Sequence, residues 1–297
     1  MSTRTSLLPP DALSGVRLGI SVSESPDLLR LGLLETHFRL ALGEIARCVL
    51  VSGGHLAYGG HLKPDGYTPF LVQELERYSR RDRPLRVCLA STEHRRMSLS
   101  ALEAEKRRLG LYGEIVCLDP DGYEIDATVG RSEALQTSVD ETTQQRGLSG
   151  LRRYMSRNTH GRVLIGGKRE GFQGEMPGLL EEALFAVEHG QPIYLAGGFG
   201  GMTWDIVVAL GIDDGNLLPR LPNAAPSDPR VGAGLSSLTN MYWTMGKRSL
   251  ENGLTWEENQ RLAVCYRPSE IAALVSLGLG KRFRRENVGR SAQETRP

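Results

Sequence analysis

The sequence is short of several features that commonly announce a function. Only four cysteines occur in 297 residues, Cys48, Cys88, Cys117 and Cys265. They are widely spaced, with no Cys-x-x-Cys pair and no Cys/His cluster. A structural zinc site and a disulfide framework are therefore not expected, and the thiols read as buried and reduced, with no metal bound. Aromatic residues make up only 6%, and neither sign of charge dominates: 36 Lys+Arg against 35 Asp+Glu leave a net charge of +1. That balance excludes the strong basic field of a non-specific nucleic-acid binder and the composition of an acidic disordered chain. Long hydrophobic runs are missing too. Ile271–Leu279 and Ile206–Leu210 fall far short of the roughly 20 residues needed to cross a bilayer. The opening MSTRTSLLPPD has no apolar core of a signal peptide. The expected setting is the cytoplasm, without a membrane partner. Both standard nucleotide motifs are absent as well. There is no GxxxxGK[ST], and no GxGxxG follows the first apolar run, so no Mg-ATP loop or bound NAD-type cofactor is implied.

Glycine, by contrast, is abundant at 35 residues, and it is clustered. The clusters gain meaning from the elements around them. Short apolar runs predict strands at Val16–Val22, Cys48–Val51, Leu85–Ala90, Gly113–Leu118, Arg162–Ile165 and Pro192–Ala196. Helical spacing predicts helices over Leu28–Arg47, Pro69–Arg80, Leu99–Leu109, Leu148–Arg157, Gly178–His189 and Met202–Leu210. Continuous short strands alternating with helices indicate a mainly parallel sheet covered on both faces, a Rossmann-like, doubly wound α/β fold. The expected organisation is an N-terminal tail at 1–15, a nucleotide-binding domain at 16–211 and a connector at 212–230. A helical extension follows at 231–283, then a flexible tail at 284–297. Within the domain, 119–147 is polar and aperiodic and reads as an insertion or lid.

Glycine directly after a strand lets backbone amides approach an anion, and the following helix adds the positive end of its dipole. Three clusters fit that description: Gly53–Gly54 after Cys48–Val51, Gly166–Gly167 after Arg162–Ile165, and Gly197–Gly201 after Pro192–Ala196. The first strand ends in Ser21, Ser23 and Ser25, with Glu24 between them, where hydroxyls and amides could hold a phosphate and the carboxylate a ribose hydroxyl. Tyr58, Gly59 and Gly60 form a second mouth, with the tyrosine ring as a candidate base platform and Lys63 and His61 close behind. Gly166, Gly167 and Lys168 form a third, the lysine acting as a point charge for phosphate. Gly197, Gly198, Phe199 and Gly200 precede a helix, and Phe199 is a candidate cover for a base.

Two of these stretches carry a family resemblance. VLIGGKREGFQGEMPGLLEEALFAVEHGQPIYLAGGFGG (Val163–Gly201) and LGISVSESPDLLRLGLLETHFRLALGEIARCVLVSGGHLAYGGHLKPDGYT (Leu18–Thr68) resemble the SLOG superfamily, the Rossmann-like group related to the Smf/DprA and LOG proteins. The likeness is to its bacterial conflict-system branch. It implies a cytoplasmic module that senses a nucleotide-derived ligand, ADP-ribose-like, cyclic or NAD-related, pairs as a homo-oligomer and controls an effector protein. In the LOG enzymes a PGGxGTxxE motif with an upstream arginine cleaves a nucleotide's N-glycosidic bond. The best register for that motif here is Met176–Glu182 (MPGLLEE). It places Gly178 on the motif's second glycine block and Glu182 on its acid, with Arg152 or Arg153 as the arginine. Leu179 stands where the motif has threonine, and the paired glycines are missing. The resemblance therefore leaves two activities open, a binding module and a nucleotide phosphoribohydrolase in which Glu182 and Arg152 are catalytic. A DNA-handling role like that of the Smf/DprA relatives is disfavoured by the balanced charge.

Overall fold

A computed structural model describes residues 9–64, 66–78, 82–129, 139–214, 228–244 and 250–294, the last without side chains beyond Arg284. The strands are β1 (Arg17–Ser23), β2 (His55–Gly59), β3 (Leu85–Leu89), β4 (Gly113–Leu118), β5 (Glu124–Ile125), β6 (Gly161–Gly166) and β7 (Ile193–Ala196). They form one sheet in the order β5-β4-β3-β2-β1-β6-β7, parallel throughout except for the short β4–β5 pair. The helices are α1 (Glu35–Val51), α2 (Tyr67–Arg77), α3 (Ser91–His94), α4 (Leu99–Leu109), α5 (Glu141–Asn158), α6 (Gly178–Glu188), α7 (Gly201–Ala209), α8 (Pro229–Thr244), α9 (Trp256–Val264) and α10 (Pro268–Glu294). This is the Rossmann-like α/β architecture with C-terminal helices that the alternating pattern predicts.

The period-2 geometry of the strands divides the core. Ile20, Val87, Val163 and Ile165 face one side, where they meet Phe38, Leu42, Ile45 and Val49 of α1 and Ile271, Val275 and Leu279 of α10. Leu164 and Leu195 face the other, under Leu180 of α6, Ile206 of α7 and Leu238 of α8. On that same face Ala57 and Cys88 pack beneath Leu151, Tyr154 and Met155 of α5. Each fully buried side chain of this size contributes about 1.5–3 kcal/mol, so the C-terminal helices are part of the main core and not an appendage.

One expectation needs correction, and two segments hold secondary structure that the pattern did not show. Cys48–Val51, read as a strand, is the last turn of α1, and the second strand is His55–Gly59. The run is apolar, but Ala46, Val49 and Leu50 are buried while Val51 is 55% exposed, which is helical and not strand spacing. Gly53, at φ +82°, therefore ends a helix and does not open a phosphate loop. The polar stretch 119–147 contains β5 and the first two turns of α5, although 130–138 fall outside the described residues. The tail expected to be flexible from 284 continues as helix to Glu294. Most of the connector, 215–227, and residues 1–8 and 295–297 also lie outside the description.

The helical glycines differ sharply in what surrounds them. Gly232 in α8 has open space where a side chain would go and an ordinary helical backbone. Gly232→Ala should raise stability by roughly 0.5–1 kcal/mol through reduced backbone entropy of the unfolded chain. Urea denaturation of the two proteins, with unchanged m-value, checks this.

Candidate functional site

From β1 the chain steps to β2, β3, β4 and β5 in one direction, and then returns to place β6 and β7 on the far side of β1. The direction thus reverses between β1 and β6, and in open α/β sheets the crevice outside the carboxyl ends of such a strand pair is where ligands bind. Ser23 pairs with Gly166 there, and the Gly167 amide donates to the Ser23 carbonyl at 3.0 Å. Gly59 and Gly60 end β2 on the other flank of β1. Gly166 and Gly167 adopt φ of +71° and +105°, conformations that L side chains rarely take. The sequence-predicted Ser21, Ser23, Gly59, Gly60, Gly166 and Gly167 are thus brought to one edge.

Below this edge lies a charged cluster between the sheet and the helices α5 and α6. Arg162, the second residue of β6 between β1 and β7, is fully buried. Its Nη1 donates to Glu182 Oε2 at 2.7 Å and to Ser21 Oγ at 3.3 Å, while Nε donates to Gln191 Oε1 at 3.2 Å. The Ser21 hydroxyl donates to the same Glu182 oxygen. Burial lowers the pKa of Arg162, and Glu182 opposes that shift. The Glu182 side chain keeps 18% of its surface exposed, so this carboxylate is the part of the cluster that solvent reaches. Its other oxygen, Oε1, stands 4.0 Å from Arg152 Nε.

Arg152 is therefore close to Glu182, as the motif register implies, but its main partner is Glu181. Glu181 is buried and also accepts from Ser149 Oγ. The Arg152 guanidinium runs beneath the turn Gly174–Gly178, where a Cβ at either glycine would come within 2.7–2.8 Å of its nitrogens. That turn leads into α6, whose N-cap is Pro177 and has no side-chain hydrogen bond to the first-turn amides. An uncapped helix N-terminus beside a guanidinium favours negative charge, part of which Glu181 in the first turn of α6 supplies.

At the start of α7 a carboxylate of the protein accepts from the helix amide directly. Asp27 Oδ2 accepts from the Gly201 amide at 2.7 Å and from Arg169 Nη1 at 2.7 Å, and Arg169 Nε donates to Asp205 Oδ2 at 2.7 Å. Burial acts against the charge on Arg169, but Asp205 and Asp27 outweigh it and its pKa is raised. This bridge ties the loop after β1 to the loop after β6.

Several predicted residues sit elsewhere. Gly197, Gly198, Phe199 and Gly200 are buried, and Phe199 stacks edge-on to Phe38 at 5.0 Å between centroids. Their small size serves close chain packing: Gly198 against the backbone of Val264 and Cys265, Gly200 against Asp27. Phe199 presents no face to a base. Tyr58 is likewise 95% buried, edge-on to Tyr67, with its ring lying over Gly60. Burial, helped by Glu182, pushes the Tyr58 hydroxyl's pKa up, so it stays a neutral wall. Lys168 and Glu24 meet at 3.0 Å on the exposed rim, a contact worth at most about 1 kcal/mol. Lys63 is exposed in the loop after β2, its amide donating to His61 Nδ1 at 3.3 Å.

Sequence reasoning missed Arg162, Glu181, Asp27 and Arg169. Among the described residues no group of His, Cys, Asp or Glu is arranged to hold a metal ion, and no helix is long and apolar enough to cross a membrane. No curated protein and no solved structure matches the chain. The family comparison does: the model described as SLOG cluster2 matches residues 12–262, through β1 to β7 and into α9. With that match over most of its length, the chain belongs to the SLOG family.

Proposed function

We propose that the protein binds a nucleotide-derived ligand, ADP-ribose-like, cyclic or NAD-related, in the crevice at the carboxyl ends of β2, β1 and β6. The observation that carries this reading is the meeting of Glu182 and Arg152 with the uncapped N-terminus of α6 beside the β1–β6 switch point. SLOG membership, which points to a nucleotide-related function, supports it. In this reading the α6 amides, Gly178 and Arg152 take a phosphate, with Lys168 and Lys63 at the rim. Ser23, Gly59, Gly60, Gly166 and Gly167 supply backbone contacts. Glu182 accepts a ribose hydroxyl, while Ser21 and Arg162 hold its carboxylate in place. The module works in the cytoplasm as a sensor in bacterial defence, pairing with a second copy and controlling an effector protein. The loop from Ser23 leads straight to Leu29 and Leu34, 82% and 55% exposed, an apolar surface through which a partner would register the bound state.

Thermal unfolding with ADP-ribose, its cyclic isomers, NAD, AMP and cyclic dinucleotides tests this. A true ligand at 100 times its Kd should add about 2.7 kcal/mol. Arg152→Ala should weaken binding by about 1.5–3 kcal/mol, the range for a charge-assisted contact, and Lys168→Ala by less. No stabilisation by any of these compounds at millimolar concentration overturns the reading.

The 4.0 Å approach of Arg152 to the unshared oxygen of Glu182 favours one second reading, hydrolysis of a nucleoside monophosphate at its N-glycosidic bond. A carboxylate near the anomeric carbon would stabilise oxocarbenium character while the cation holds the phosphate. Release of free base from nucleoside monophosphates, abolished by Glu182→Gln, is the expected result. Activity persisting in that variant removes Glu182 from the chemistry.

A further inference from the structure

A cavity opens at the opposite end of the sheet from the proposed nucleotide site, and nothing in the nucleotide reading uses it. Its volume is about 350 Å³, within the size range of small-molecule sites. Its walls come from Val16, from the α5–β6 corner and from the α6–β7 corner, the segments just before β1, β6 and β7. β6 spans six residues, so at about 3.3 Å per residue the cavity lies almost 20 Å from the crevice at the carboxyl ends.

The lining is cationic on one side and apolar on the other. Arg157 and Arg282 bring positive charge, His160 and His189 bring imidazoles, and no carboxylate lines the space among the described residues. Phe283, Leu279 and Pro192 form the apolar wall. The polar side is held in position by its own bonds. Arg157 Nε donates to His189 Nε2 at 3.1 Å, which leaves the proton of the neutral ring on Nδ1, facing the Phe185 carbonyl at 2.8 Å. His189 thus props Arg157 through Nε alone, and the two Nη groups are left for a ligand. His160 Nδ1 accepts from the Arg17 amide at 3.0 Å, so in its neutral ring the proton is on Nε2, and the ring stands edge-on to Phe283 at 6.1 Å. Gln191, buried in the floor, is tied to Thr159 and Arg162.

We propose that this cavity at the amino ends of β1, β6 and β7 binds a small organic anion, a phosphate monoester or carboxylate carried on an apolar body. Arg157 and Arg282 take the charged group, and Phe283, Leu279 and Pro192 take the body. The proposal is independent of the nucleotide reading.

Phenyl phosphate is a suitable probe, followed through the histidine ring signals by NMR, with His160→Gln and His189→Gln to assign the two resonances. The expected result is a saturable shift of both signals with a Kd near or below about 1 mM. Inorganic phosphate, which has the charge without the body, and phenol, which has the body without the charge, should each bind about tenfold more weakly. Arg157→Ala should weaken phenyl phosphate by about tenfold while leaving any nucleotide stabilisation unchanged. Lys168→Ala, at the opposite end of the sheet, should leave the two histidine shifts as they are. Absence of a saturable shift up to about 10 mM, wild-type binding in Arg157→Ala, or loss of the shift in Lys168→Ala overturns the proposal.

Discussion

Replacing Arg162 by methionine is expected to destabilise the protein by roughly 3–5 kcal/mol, the cost of removing one partner from a buried ion pair. The guanidinium is wholly enclosed and holds Glu182, Ser21 and Gln191 at once. Methionine fills much of the stem's volume but leaves Glu182 with only the more distant Arg152 at 4.0 Å and Gln191 Oε1 without its donor. The second substitution in the cycle is informative. Arg162→Met with Glu182→Leu removes both charges, and apolar replacement of a whole buried pair is often neutral or better. The double variant should recover at least about 1 kcal/mol relative to the single Arg162→Met. Chemical denaturation of the wild type, both singles and the double supplies the cycle. A loss below about 1 kcal/mol in Arg162→Met would mean that the guanidinium does not anchor the floor of the crevice.

Arg162 also shows why the floor of the site was hidden in the sequence while the edge was visible. Strand ends followed by glycine mark the edge of an open sheet, because glycine takes without strain the φ of +71° and +105° found at Gly166 and Gly167. An arginine at the start of the run RVLIGG, however, reads as a solvated end. Its burial depends on β6 pairing with β1 on one side and β7 on the other, a non-local fact. The neighbouring Glu181 and Glu182 posed a similar problem. Both stand on α6, one turn from its start, and only the packing of α5 assigns Arg152 chiefly to Glu181. The run Cys48–Val51 misled for the converse reason, since four apolar residues in a row cannot by themselves distinguish a buried strand from a helix turn. The longer periodic segments were legible, with Leu99–Leu109 and Gly113–Leu118 matching the structure residue for residue. The C-terminal helices were legible as an extension of the sheet domain, but nothing local shows which helix α10 lies against, namely α1.

The most extreme case of a misread signal is the Gly197–Gly201 cluster, and it yields the second large expected effect. Gly198→Ala should cost about 3 kcal/mol or more, at or beyond the upper end of the range for overpacked cores. A methyl group there would be driven into the carbonyl group of Cys265 and against the carbonyl oxygen of Val264, both at the end of α9. Those are backbone atoms, so no rotamer change relieves the clash, and α9 must move away from the end of β7. Arg152→Ala provides the contrast: it also costs stability, because it leaves the buried Glu181 without its cation, but it is the one expected to weaken ligand binding directly, through the α6 turn, whereas Gly198→Ala acts on folding far from that turn. Denaturation midpoints and nucleotide stabilisation measured on both variants separate the two roles. If Gly198→Ala folded with near wild-type stability but failed to bind any nucleotide that stabilises the wild type, the cluster would have to be a ligand loop after all. The packing of α9 against β7 would then have to be looser than the close approach of Cys265 to Gly198 implies.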